Sequence, residues 1–125
     1  MFRIRFAKRE DFPEIERLAK KCGITSELNF LTEIFMIAED TLPFGFVSIK
    51  IEDRTAYITN FALLPTHKDE NMENLMIRVI LNHALDMGLE KAAVSLKEWE
   101  DFFLKIGFAK EGNLQVVNLK KFFKE

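Results

Sequence analysis

The sequence predicts one α/β domain of the α+β kind spanning residues 1–125, with a mixed, mostly antiparallel central sheet, one parallel strand pair and helices on both faces. Three observations predict it. Hydrophobic periodicity switches repeatedly between the strand period and the helix period, so the two element types are interleaved. Three β-rich runs follow one another between residues 34 and 64 with only short turns between them, which reads as an antiparallel meander. The last of these runs then leads through a well-marked helix into another short apolar run, the pattern of a parallel pair with its crossover.

Each element has its own signal. "FRIRFA" alternates Phe2, Ile4 and Phe6 against Arg3 and Arg5, a strand with one buried face. In "EDFPEIERLAKKCG", Asp11 stands at the N-cap position and Pro13 in the first turn. Phe12, Ile15, Leu18, Ala19 and Cys22 form that helix's apolar stripe, and Gly23 follows it at C′. "TSELNFLTEIF" reads as a short helix or turn from Ser26 to about Thr32. "IFMIAED" and "FGFVSIKIE" are strands joined by "DTLP", and "EDR" turns into a third, "TAYITNFALL". That strand is apolar on both faces, with Tyr57, Phe61 and Leu63 against Ile58, Ala62 and Leu64, so it belongs at the sheet centre.

Pro65 ends it. Met72, Leu75, Met76, Val79, Ile80, His83, Ala84 and Met87 then recur at helical spacing as far as Gly88. "KAAVSL" is a buried strand parallel to the one before the helix. "EWEDFFLKIG" returns to helical spacing with Trp99, Phe102, Phe103 and Ile106 inside, and "GFAKEG" and "LQVVNLKKF" read as two closing strands.

Composition narrows the function classes. The hydrophobic fraction of 48% and the 13 Phe support a packed core, and a net charge of −2 with only Lys120, Lys121 and Lys124 clustered gives no basic face for nucleic acid. Those lysines read as a solvated tail. Cys22 is the single cysteine, so there is no internal disulfide and no multi-cysteine metal site. His67 and His83 have no helical pairing to suggest zinc. The start of the chain is unlike a signal peptide, and no apolar run reaches the ~18 residues of a membrane span. The expectation is a soluble protein of a reducing, cytoplasmic compartment. Abundant Lys and Glu, with Gln only at position 115, points to a heat-adapted source.

Three phrases in order carry a family resemblance. "IAEDTLPFGFVSIKI", with Gly45 inside it, "ITNFALLP" and "DFFLKIGF" together resemble the GNAT superfamily of acetyl-CoA-dependent N-acetyltransferases over nearly the whole chain. The resemblance implies a fourth and fifth strand that splay apart. Pantetheine would lie in that gap on the strand-four backbone of Phe61, Ala62, Leu63 and Leu64. The pyrophosphate would sit at the N-terminus of the next helix, where orphan N–H groups and the dipole favour an anion. That loop covers Lys68, Asp69, Asn71, Met72 and Glu73.

Set against the family pattern, the loop has lost its glycines. Lys68 keeps a positive charge. Asn71 replaces the first glycine and is a residue that tolerates left-handed backbone. Glu73 replaces the second small residue. Asp69, Glu70 and Glu73 put carboxylates where the cofactor brings its own negative charge, although acids in a helix's first turn also stabilise the dipole. Phe103 falls on the tyrosine that protonates the leaving thiolate and has no proton to give. Leu96 falls near an asparagine that contacts the cofactor, and Trp99 near a small residue beside pantetheine. The general-base position falls on Thr59 or Asn60, and Tyr57 is the single tyrosine that could serve as acid.

Two readings follow. The first is a non-catalytic GNAT-like module with weak or lost acetyl-CoA binding, serving as sensor, scaffold or subunit. The second is an active acyl-CoA-dependent N-acetyltransferase on an unknown amine. The acceptor would be set by "GITSELNFLTE", where Glu27 and Glu33 are the candidate amine partners. A homodimer or protein partner would meet the aromatic C-terminus at Phe122 and Phe123.

Overall fold

The computed structural model describes residues 1–124. Its seven-stranded sheet runs in the order β1-β2-β3-β4-β5-β7-β6. The strands are β1 (Arg3–Phe6), β2 (Glu33–Glu39), β3 (Pro43–Glu52), β4 (Thr55–Leu63), β5 (Lys91–Val94), β6 (Ala109–Glu111) and β7 (Leu114–Asn118). Four helices accompany them: α1 (Phe12–Lys21), α2 (Glu70–Asp86), α3 (Glu100–Lys105) and α4 (Leu119–Phe123). Among the described residues only β4 and β5 pair in parallel; the other pairings are antiparallel, as the meander and the strand–helix–strand pattern predict.

The sheet separates two apolar cores. On one face Ile15, Leu18 and Ala19 of α1 pack against Phe35, Ile37, Phe46 and Ala62. On the other, α2 and the C-terminal helices cover Val47, Ile49, Ile58, Phe61 and Leu63. Burying a side chain of this size stabilises by about 1.5–3 kcal/mol, so a central sheet covered on both faces carries most of the fold. Gly45 sits where β3 presses on β4: a Cβ there would lie 2.7 Å from the carbonyl oxygen of Ala62.

The local details depart from the sequence reading in four places. β4 carries a bulge: Ser48 pairs with Asn60 but Ile49 with Ile58, so Thr59 is an extra residue. An extra residue flips the alternation, and Ala56, Ile58, Phe61 and Leu63 therefore share one core while Tyr57 faces the other way. The buried stripe of α2 is Glu73, Met76, Ile77, Ile80, Leu81 and Ala84, rotated from the predicted one, and Leu75 and Met87 are exposed. "LQVVNLKKF" is not one strand. Asn118 accepts from the Lys121 N–H at 3.0 Å and starts α4, whose Leu119 and Phe122 are buried. The lysines there belong to a helix, and Phe122 packs inside its own chain with the Arg78 guanidinium over its ring. Asp11 precedes α1 but does not cap it: its carboxylate takes the Lys8 N–H at 2.7 Å and both terminal nitrogens of Arg5 at 2.8 and 3.0 Å. Of the helix or turn read over Ser26–Thr32, the turn is what forms, at residues 30–32, held in part by the Asn29 side chain.

Candidate functional site

β4 and β5 are paired only from Thr55 with Lys91 to Ile58 with Val94. Past the bulge β4 follows β3 to Leu63, while β5 ends. The Leu64 N–H donates to the Phe44 carbonyl at 2.8 Å, so the even-numbered residues of this stretch turn their backbone groups toward β3. The odd-numbered ones, Phe61 and Leu63, turn theirs to the open edge.

Two side chains of the same chain occupy the carbonyls on that edge. The Trp99 indole Nε1–H donates to the Phe61 oxygen at 2.9 Å. The Cys22 thiol donates to the Leu63 oxygen at 3.6 Å, and burial pushes that thiol's pKa up. Trp99 is not inside a helix as its spacing suggests. It closes a single 3-10 turn, Lys97–Trp99, that precedes α3. Its ring is buried at 8% exposure and lies 4.3 Å from the Phe61 ring, with the Lys68 ammonium 4.9 Å above it.

A hollow of about 340 Å³ remains beside these groups, with Cys22, Phe61, Leu63, Lys68, Glu98 and Trp99 on its walls. A smaller one of about 280 Å³ adjoins it, where Thr25 and Ser26 face Thr59, Asn60 and Leu96. Behind the smaller hollow the bulge organises a polar chain. Glu33 Oε1 accepts from Thr59 Oγ1 at 2.7 Å, the Thr59 and Ser48 hydroxyls lie 2.8 Å apart, and Asn60 Nδ2 donates to Ser48 Oγ at 3.0 Å. Sequence reasoning named Glu33, Thr59 and Asn60 separately; the bulge brings them together, and Ser48 was missed.

The helix end is acidic and internally satisfied in part. Asp69 is the N-cap of α2 and its Oδ1 accepts the Met72 N–H at 2.9 Å. Glu70 is paired with Lys105. Asn71 lies within the helix, and among the described residues only Asp53 and Arg54 are non-glycine residues with positive φ. No left-handed turn therefore replaces the missing glycine. Glu73, at the position of the loop's second small residue, is only 7% exposed. Burial pushes its carboxyl pKa up, the Lys68 charge pulls it back, and Glu70 and Asp69 push it further up. The preceding turn, Pro65–His67, is tied to the β2–β3 hairpin: His67 Nε2 lies 2.7 Å from Asp40 Oδ2, and its ring stacks on Phe44 at 4.0 Å.

Phe103, at the position of the family's tyrosine, and Tyr57, the one candidate acid, both lie away from the edge. Phe103 is fully buried among Phe61, Phe102 and Phe108. Tyr57 sits in the paired half of β4 opposite Ala93, and is not on the wall of either hollow.

The overall fold is shared with solved structures. A PaiA N-acetyltransferase from Thermoplasma acidophilum, in complex with coenzyme A, superposes with a TM-score of 0.77 at 17% identity over 93% of this chain and 96% of that one. The chain has the GNAT acetyltransferase fold. A GNAT-family protein from Desulfovibrio desulfuricans matches at a TM-score of 0.80, 11% identity, over 95% of this chain and 99% of that one. Spermidine N-acetyltransferase SpeG from Vibrio cholerae matches at 0.81 and 16%, over 98% and 96%. No protein-family model and no curated protein sequence matches the chain. Among the described residues, no helix of this GNAT-fold chain is long and apolar enough to cross a membrane.

Proposed function

We propose that this GNAT-fold protein has weak or lost acetyl-CoA binding and acts as a sensor, scaffold or subunit rather than as a catalyst. The observation that carries the reading is the Trp99 indole on the Phe61 carbonyl, 2.9 Å away. In the fold's enzymes a pantetheine amide would be expected along this edge; here the side chains do not fit one. A cofactor arm would have to displace the indole, forfeiting a hydrogen bond worth about 1 kcal/mol and aromatic contact worth about 0.5–1.5 kcal/mol. Each 1.4 kcal/mol is a factor of ten in affinity. The phosphate end is opposed as well. Asp69, Glu70 and Glu73 surround the donors that a pyrophosphate needs, and Lys68 is committed to the Trp99 face.

The positions equivalent to the family's cofactor contacts are Phe61, Ala62, Leu63, Leu64, Lys68, Asp69, Asn71, Met72 and Glu73 in this reading, and they serve as structure. Calorimetric titration with acetyl-CoA and with CoA tests it. No saturable heat is expected, and micromolar binding by the unmodified protein would overturn it.

One observation favours the second reading, an active N-acetyltransferase. The Glu33–Thr59–Ser48–Asn60 chain places a carboxylate one hydroxyl away from the smaller hollow, which is where a base relayed through a hydroxyl would stand. Acetyl transfer to any amine that is abolished in Glu33→Gln would establish this reading and displace the first.

A further inference from the structure

We propose that the end of the sheet opposite the open edge of β4 binds a phosphate-type oxyanion. A hollow of about 450 Å³ lies there, and Arg54, Lys91, Lys120 and Asn118 stand on its walls. Arg54 immediately precedes β4, Lys91 opens β5, and Asn118 ends β7. Three cations therefore converge on one concavity in a chain whose net charge is −2. The one acid on the wall is Glu90, which bridges Arg54 at 3.3 Å. Among the described residues no carboxylate pairs with Lys91 or Lys120. The Asn118 side-chain oxygen is spent on the Lys121 N–H, which leaves its amide NH2 as a further donor. Beside Leu85 and Leu89, the polar side chains on the wall are mostly donors, the complement of a tetrahedral oxyanion, and Arg presents a fork suited to phosphate.

The backbone at Arg54 adds an independent observation. Arg54 has φ +61 and its neighbour Asp53 φ +49, in the two-residue turn between β3 and β4. Glycine or asparagine fills such a turn without strain. The carbonyl of residue 54 accepts the N–H groups of Glu90 and Lys91 at 2.8 and 3.4 Å, a role any residue type can play. The exposed ion pair with Glu90 is worth little. Packing thus leaves the arginine unexplained at this position, and a guanidinium directed to the hollow explains it.

The test is an amide NMR titration of the full chain with inorganic phosphate, against sodium chloride at matched ionic strength. Saturable shifts are expected at Lys91, Asn118 and Lys120 with phosphate and not with chloride. Arg54→Gly suits the left-handed backbone and keeps the carbonyl, so it folds, yet it should weaken phosphate binding by about tenfold. Lys120→Ala should weaken it too. Equal, unsaturable shifts with both salts would overturn the proposal. So would saturation unchanged in the Arg54→Gly, Lys120→Ala double variant, or phosphate shifts confined to residues 69–73 at the other end of the sheet.

Discussion

Trp99 and Phe61 are joined twice, by an N–H···O bond of 2.9 Å from the indole to the backbone and by ring contact at 4.3 Å between centroids. The two contacts can be removed separately. Trp99→Phe keeps an aromatic ring and leaves the buried carbonyl short of its donor, at a cost of about 1–3 kcal/mol. Trp99→Ala removes both and opens a cavity, at about 3–5 kcal/mol. Urea denaturation of the two variants checks the order. As the single tryptophan, Trp99 should also emit at short wavelength, and added acetyl-CoA should leave the emission unchanged; saturable quenching would place the indole beside a working cofactor site.

Glu73 is expected to destabilise the protein at neutral pH. Its folded pKa is raised by burial, so the folded state holds the proton more tightly than the unfolded one. Its contribution is favourable below the ordinary carboxylate range and is lost as pH rises through the folded pKa. A first-turn charge gains about 0.3–1 kcal/mol from the helix dipole, and burial raises the pKa in spite of that and of the nearby Lys68 charge, so burial wins. Glu73→Gln should raise the thermal midpoint at pH 7 and lose the advantage near pH 4.

The Arg5 cluster has the opposite sign. Hydrogen bonding to Arg5 lowers the Asp11 pKa from 3.8 to about 2, and Glu39 on the same guanidinium is lowered as well. These carboxylates stabilise the fold above the unfolded carboxylate range and lose that contribution as pH falls from about 4 toward 2. With solvent screening the Asp11 share is about 1–2 kcal/mol. Asp11→Asn should lower the thermal midpoint at pH 7, and its curve should meet that of the unmodified protein near pH 2.

Gly45→Ala should cost about 1–3 kcal/mol, because the added methyl meets backbone rather than a movable side chain. If chemical denaturation shows a loss well below 1 kcal/mol, β3 and β4 are less tightly pressed than the 2.7 Å approach indicates.

The element order was legible because it rests on local periodicity, and the parallel pair because a helix separates two apolar runs. What escaped reading depends on partners distant in sequence. Thr59 looks like any strand residue until Ser48 and Ile49 are set against it. Glu73 reads as one of three first-turn acids with Asp69 and Glu70, yet helix rotation places it on the buried stripe with Met76 and Ile77. Trp99 was assigned to the gap by resemblance, and its bond to Phe61 crosses 38 residues. Cys22 on Leu63 crosses 41, and nothing local announces it. The closing helix α4 did leave a signal, Leu119 and Phe122 three apart behind an asparagine, which the β-rich "LQVVN" before it obscured.

The strand order also carries a kinetic meaning. β1 through β4 lie side by side in the order in which they are synthesised, while β5 must wait for α2 to cross and then accepts β7, rather than β6, as its neighbour. Hairpins close in microseconds, whereas pairings between distant segments are slow. Refolding should therefore proceed from the first half of the chain to the second, with amides of β2 and β3 gaining hydrogen-exchange protection before those of β5 and β7. The Trp99 indole would then seat on Phe61 among the last events, making its emission a reporter of completion rather than of collapse.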